Sequence, residues 1–295
     1  MQRPIGIFDS GLGGLTVARA VIDLLPHESV TYIGDTLHTP YGPRDQDEVR
    51  SLSIEVMDAL VAQGVKMLVI ACNTASAATF DIAKRRYQDT LGIPVIEVIT
   101  PAVRAATVGS TRNSIGVVAT AGTVGSGAYQ RAFAHAGVPD VMAVAAPRFV
   151  EFVEAGETTG DRVLDAARGY LQPLIDANVD TLVLGCTHYP LLAGAIGYVM
   201  GPEVRLVSSA QETAADVYRT LADQDLLATG TAEYRFESTS IEQGPFRKLA
   251  RRFLGPEVGH VEHHVTGVIT LPSPEELTAA AKDIAAKNDE SGRIA

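Results

Sequence analysis

The sequence predicts an α/β protein of two similar lobes, each a mainly parallel sheet flanked by helices, with the active site in the interlobe cleft. Two observations predict it. Short apolar runs alternate with longer helical stretches: Pro4–Phe8, Val30–Ile33, Met67–Ala71, Val95–Ile99, Ile115–Ala119, Val141–Ala145, Thr181–Gly185 and Val204–Val207 read as buried strands. Between them, Leu15 to Leu25 and Arg50 to Ala62 repeat apolar residues at three- and four-residue spacing, as amphipathic helices do. Helical crossovers return the chain in the same direction, which makes the sheets parallel. The second observation is an internal repeat. Leu68-Val69-Ile70-Ala71-Cys72-Asn73-Thr74 is echoed by Leu182-Val183-Leu184-Gly185-Cys186-Thr187-His188, and Ile5-Gly6-Ile7-Phe8-Asp9-Ser10 by Ile115-Gly116-Val117-Val118-Ala119-Thr120. Two elements recurring in the same order define two lobes.

The chain is expected to cross to the second lobe near Val98–Pro101 and to return near Ser208–Thr213. This assigns 1–98 plus 209–272 to the first lobe and 99–208 to the second. The remaining 273–295 is read as a C-terminal helix and polar tail, with Ser273 as N-cap and Pro274 at its first position.

Composition removes several classes of function. A net charge of -11 argues against broad electrostatic binding of nucleic acid or an anionic membrane surface. No apolar run approaches the roughly 18 residues that span a bilayer, and Asp9 interrupts any signal-peptide core, so the expected location is the cytoplasm. Two cysteines in 295 residues point to reduced thiols rather than a disulfide scaffold.

Both cysteines fall just beyond a buried-type strand, and in open α/β sheets ligands bind outside the carboxyl ends of the strands. A thiolate is a base and a thiol an acid. Cys72 and Cys186 on opposite flanks of one carbon could remove a proton from one side and deliver another to the other, inverting a stereocentre. A lone cysteine is more often an inert buried hydrophobe; equivalent strand-end positions in a repeat, followed by Asn73-Thr74 and Thr187-His188, weaken that reading. Asp9 closes the first strand ahead of Ser10-Gly11-Leu12-Gly13-Gly14, a turn whose free N–H groups could hold an anion, or Asp9 is an ordinary helix cap. His188 could tune the Cys186 thiol, hydrogen-bond substrate, or simply be satisfied at the turn before Pro190.

Other constellations carry less. His260, Glu262, His263 and His264 interleave with Val258, Val261 and Val265 as in a strand near the surface, without the helical spacing of a metal site. Lys84-Arg85-Arg86 and Arg251-Arg252 read as solvated helix faces. A Cys–His hydrolase lacks an acyl-binding signature, and no lysine for pyridoxal chemistry stands inside the motifs.

The segments Phe8-Asp9-Ser10-Gly11-Leu12-Gly13-Gly14-Leu15-Thr16, Gly34-Asp35-Thr36 with Pro40-Tyr41-Gly42, Ala71-Cys72-Asn73-Thr74-Ala75-Ser76 and Gly185-Cys186-Thr187-His188-Tyr189-Pro190-Leu191-Leu192 together resemble the glutamate racemase family. The related aspartate racemases share the two-cysteine plan and stand as the alternative substrate class. The resemblance implies interconversion of L- and D-glutamate with no cofactor and no metal, supplying D-glutamate for peptidoglycan in cell wall biogenesis. It implies that Cys72 acts on the D enantiomer and Cys186 on the L enantiomer, with Asp9 and His188 assisting the thiols and Glu154 supporting His188. Substrate would be held by Asp9, Ser10, Pro40, Tyr41, Gly42, Asn73, Thr74, Thr120, Thr187 and His188. A homodimer is implied as well. Because some family members inhibit DNA gyrase, the resemblance also brings in gyrase as a candidate partner, under a regulatory reading in which the fold is kept for binding. In Val98-Ile99-Thr100-Pro101 the chain departs from the family, with Thr where many relatives place Glu before the proline.

Overall fold

The computed structural model describes residues 3–255, 258, 260–265 and 267. Strands and helices alternate from the start: β1 (Ile5–Asp9), α1 (Leu15–Leu24), β2 (Val30–Gly34), α2 (Gln46–Ala62), β3 (Met67–Ile70), α3 (Asn73–Ala83), β4 (Val95–Glu97) and α4 (Ile99–Gly109). A π-helical turn over Lys84–Asp89 extends α3. There follow β5 (Ile115–Ala119), α5 (Ala121–Gly125), α6 (Ala128–His135), β6 (Met142–Ala145), α7 (Arg148–Ala155), α8 (Asp161–Asp176) and β7 (Thr181–Gly185). A 3-10 turn at Tyr189–Leu192 leads to α9 (Ala193–Met200), β8 (Arg205–Ser208), α10 (Ser209–Asp223), β9 (Tyr234–Ser238), α11 (Gln243–Leu254) and β10 (Glu262–His263).

These strands form two sheets, ordered β10-β9-β2-β1-β3-β4 and β6-β5-β7-β8, and every pairing is parallel. The sequence repeat is therefore a repeat of topology. β1 lies between β2 and β3 as β5 lies between β6 and β7, and the cysteine follows β3 in one sheet and β7 in the other.

Parallel strands with helices on both faces are buried on both sides, and the alternation of side chains shows it. In the first sheet Ile5, Ile7, Val30, Tyr32, Met67 and Val69 share a core with α1, whereas Phe8, Ile33, Leu68 and Ile70 share one with α2 and α3. In the second, Val117, Ala119, Val183 and Val207 pack with α4 and α6, while Val118, Leu182 and Leu184 join the core of α8 and α9. That last cluster is continuous with the α1 side of the first sheet, so one apolar core fastens the two sheets together. Among the described residues no helix is long and apolar enough to cross a membrane.

Three sequence expectations are corrected, and one strand the apolar runs did not mark is added. The run Val95–Ile99 is a strand only to Glu97, two residues short of the apolar pattern; the Glu97 carboxylate accepts from the backbone N–H groups of Ile99 and Thr100, which starts α4 at Ile99. The helix expected from Arg50 begins at Gln46, because Asp45 caps it by accepting from the Asp47 N–H at 2.8 Å. The strand β9 carries Arg235 and Glu237, whose charges hide its period; the buried Glu237 is compensated by His264 at 2.6 Å and by Arg235 at 3.1 Å. The histidine-rich segment is strand only at Glu262–His263, and Glu262 pairs with Arg235 at 2.6 Å. The helix and tail expected over 273–295 lie outside the described residues.

Candidate active site

The carboxyl ends of β1, β3, β5 and β7 converge, and each delivers its polar residue at the close of the strand or within two positions after it. Asp9 ends β1, Cys72 follows β3, Thr120 follows β5 and Cys186 follows β7.

Cys72 is the N-cap of α3, with extended backbone (φ -112°, ψ 124°). Its Sγ accepts from the Ala75 N–H at 3.4 Å and donates to Ser10 Oγ at 3.3 Å. The thiol is 6% exposed. Burial, reinforced by the negative charge of Asp9, pushes it up to about 12, against the opposing effect of its hydrogen bonds with Ser10 and Ala75. The charge of Cys186 also raises Cys72, so the two thiols sense one another across the cleft.

Asp9 Oδ2 accepts from the Gly11 N–H at 2.9 Å, and Tyr32 donates to the same oxygen at 3.4 Å. Burial raises the Asp9 carboxyl, while His188 and the backbone of Gly14 and Gly11 pull it back. Asp9 Oδ1 and Asn73 Nδ2 are both buried without a hydrogen-bond partner. Burying an acceptor and a donor unpaired costs about 1–3 kcal/mol each, which a ligand ammonium and a ligand carboxylate would recover.

On the other side Cys186 Sγ lies 3.9 Å from His188 Nδ1, and His188 Nε2 lies 3.2 Å from Glu154 Oε1, on the last turn of α7. Burial works against a charged imidazole, but the bonds to Cys186 and Glu154 outweigh it and hold His188 up to about 10. These bonds favour the protonated ring, which can donate to the sulfur beside it.

The two sheets meet at this site. Gly13 of the first lies so close to His188 and Thr187 of the second that a Cβ there would overlap both, which is why the turn after Asp9 must be glycine at this position. Thr16 Oγ1 donates to the Thr187 carbonyl at 3.1 Å. Thr74 Oγ1 bonds Thr120 Oγ1 at 3.1 Å and Thr123 Oγ1 at 3.2 Å. Tyr129 donates its hydroxyl to Asn73 Oδ1 at 2.7 Å.

Of the residues the sequence singles out, Asp9, Ser10, Cys72, Asn73, Thr74, Thr120, Cys186, Thr187, His188 and Glu154 are joined in this set of contacts. The segment Pro40-Tyr41-Gly42 approaches by its backbone: Gly42 lies against Thr120 and its carbonyl against Gly122. The Tyr41 hydroxyl is turned away to Asp35 at 2.6 Å, which also accepts from Thr239 at 2.8 Å and meets the His38 ring; Pro40 is exposed. Sequence reasoning missed Asp35 as the anchor of this loop, although it lies within a quoted motif, and missed Tyr129 and Thr123, which gave no signal beyond helix pattern. Among the described residues no cluster of three or more His, Cys, Asp or Glu could hold a metal.

A double parallel-sheet protein with one thiol at the same strand end of each half has the architecture of the amino-acid racemases that this geometry defines as a class. Residues 15–217 match the family model described as Asp/Glu/Hydantoin racemase. A glutamate racemase of Beutenbergia cavernae is 58% identical over 281 residues, covering 91% of this chain and 96% of its own length. Among solved structures, a glutamate racemase isoform from Bacillus anthracis superposes with a TM-score of 0.81 at 38% identity, over 92% of this chain and 98% of its own. The glutamate racemase of Francisella tularensis in complex with D-glutamate gives 0.82 at 34% identity, over 89% and 97%. The chain belongs to the Asp/Glu/hydantoin racemase family and, within it, to the glutamate racemases.

Proposed function

We infer that the chain interconverts L- and D-glutamate by a two-thiol proton transfer, without added cofactor. The observation that carries this reading is the placement of Cys72 and Cys186 at matching strand ends of two sheets, with the unpartnered Asp9 Oδ1 and Asn73 Nδ2 beside them. An α-amino acid brings an ammonium for the first and a carboxylate for the second. A neighbouring ammonium also offsets the charge of Asp9, which helps to hold Cys72 as a neutral thiol, and so favours its thiolate.

In this reading the Cys72 thiolate takes the α-proton from D-glutamate while Cys186 donates its proton to the opposite face, leaving L-glutamate and a Cys186 thiolate beside the His188 cation. The reverse reaction runs through the same groups. Glu154 accepts from His188 Nε2–H and so turns the other ring nitrogen towards Cys186. Ser10, Thr74, Thr120, Thr187 and the backbone N–H groups of Tyr41 and Gly42 supply donors to the substrate carboxylates, while Pro40, which has no N–H, contributes only apolar contact. Hydroxyls and backbone N–H groups suit an anion in an acidic protein because they attract it locally without a neutralising lysine or arginine.

The lobes are taken as 1–98 with 209–272, and 99–208. The protein acts in the cytoplasm as a homodimer, which sedimentation tests, and its product D-glutamate enters peptidoglycan. The deciding experiment is a circular-dichroism assay of L- and D-glutamate and both aspartates with no cofactor added, run also in deuterated water. Racemised glutamate carrying deuterium at the α-carbon is expected in wild type and is absent in Cys72→Ala and in Cys186→Ala. Turnover of aspartate in place of glutamate would reassign the substrate, and full activity in either alanine variant would overturn the mechanism.

A further inference from the structure

The His188 ring is restrained at both nitrogens, by Cys186 on one and Glu154 on the other, yet two bonds on opposite sides of a planar ring leave it free to tilt about the line joining them. A third contact removes that freedom. The ring of Phe253 meets His188 at a centroid separation of 5.7 Å and an interplanar angle of 85°, edge to face.

Phe253 does not come from the half of the molecule that supplies His188. It sits on the last turn of α11, which packs on α1 of the first sheet, and the next residue, Leu254, has its carbonyl held by Arg19 Nη1 at 2.9 Å. Phe253 is 8% exposed, in the same apolar cluster as Cys186 and Tyr189. The same helical turn touches the support of the second nitrogen. The Arg252 guanidinium lies over Gly156, where a Cβ would overlap it, and Gly156 (φ +80°) ends α7 two residues after Glu154. One turn of α11 thus abuts both the imidazole and the end of the helix that carries its carboxylate.

We propose that Phe253 is a positioning residue for the reaction: its ring sets the tilt of His188 against Cys186, and the last turn of α11 thereby couples the first lobe to the acid–base group of the second. This rests on the reading that Cys186 and His188 form one proton-transferring half of the site. A small tilt changes how well the Nδ1–H direction meets the sulfur without altering how substrate is held, so the loss falls on turnover rather than binding.

The test is Phe253→Leu, which keeps apolar bulk but removes the flat ring, beside Phe253→Tyr, which keeps the ring. Phe253→Leu is expected to lower kcat about tenfold with KM within about twofold, in both directions alike because the enantiomers have equal free energy. The ring 15N signals of His188, assigned by their loss in His188→Asn, broaden or shift in Phe253→Leu and return with kcat in Phe253→Tyr. If Phe253→Leu keeps wild-type kcat and unchanged ring signals, or if Phe253→Tyr is as impaired as Phe253→Leu, the contact is ordinary packing and the proposal fails. Full racemisation by Cys186→Ala is a different result: it removes the catalytic reading itself, whatever the Phe253 variants do.

Discussion

The phenol of Tyr129, on α6 of the second lobe, donates at 2.7 Å to the amide oxygen of Asn73, on the first turn of α3 in the other lobe, and so fixes which end of that amide is free. With Oδ1 occupied, Nδ2 is the atom left to donate. Tyr129→Phe removes the orienting bond while keeping the buried ring. KM for glutamate should rise about five- to tenfold, on the order of 1 kcal/mol, with kcat little changed. Steady-state kinetics check it; an unaltered KM would show that the amide needs no such partner.

Cys72 is held as a thiol by burial and by Asp9. With its ionisation pushed up to about 12, only about one molecule in ten thousand carries the thiolate at pH 8. Alkylation of Cys72 by iodoacetamide, followed by mass spectrometry without substrate, should still be climbing steeply between pH 9 and 11, where an ordinary cysteine has levelled off. A plateau below pH 9 would contradict the assignment.

The raised ionisation of His188 has a pH signature. Burial opposes the cation but the bonds to Cys186 and Glu154 prevail, so the folded value, about 10, exceeds the unfolded one, about 6.5. The protonated ring is therefore favoured by folding, a contribution fully present below about pH 6.5 and lost as pH rises through about 10. Glu154→Gln weakens one support. Its His188 15N titration should move down, its urea midpoint should fall less than that of wild type between pH 7 and 10, and kcat should drop roughly tenfold, within the usual range for one assisting group. A His188 titration that stays in place would exclude Glu154 as its support.

A buried ion pair lies far from the cleft. Lys66 Nζ meets Glu28 Oε2 at 2.6 Å and donates to the Leu226 carbonyl at 2.6 Å, and Glu28 Oε1 accepts from the Ala228 N–H at 2.7 Å. The pair pins the segment between α10 and β9 to the first sheet. Lys66→Met strands the Glu28 carboxylate and should cost about 3–5 kcal/mol in urea unfolding. Restoring an apolar partner with Glu28→Leu in the same chain should recover much of it, and a single variant as stable as wild type would sink the argument.

Most of the fold was legible because its signals are local. Ile115–Ala119 and Thr181–Gly185 are strands over the very residues the apolar runs mark, and the echo of 68–74 in 182–188 foretells that β3 and β7 occupy matching places. The two thiols were legible for the same reason: a cysteine at a strand end is a statement about sequence order. What failed to show was anything decided by charge pairing or by approach from another part of the chain. Strand β9 was hidden because Glu237 is buried only by virtue of His264 and Arg235, and Ile99 was misassigned because a carboxylate two residues earlier starts a helix. The periodicity of α11 can mark Phe253 as inward-facing; that it meets His188, 65 positions earlier, is a fact of tertiary packing alone.

The strand β9, which lies between β10 and β2, pairs with β2 across some two hundred positions, Val30 with Tyr234 and Gly34 with Ser238, whereas all four strands of the second sheet come from one uninterrupted stretch. A chain emerging from the ribosome therefore exposes β2 with an open rim until β9 has been made, by which point the second sheet already holds all four of its strands. In chain order, then, β2 gains its outer neighbour only after every strand of the second sheet is in place, so the first sheet is the one whose pairing closes last.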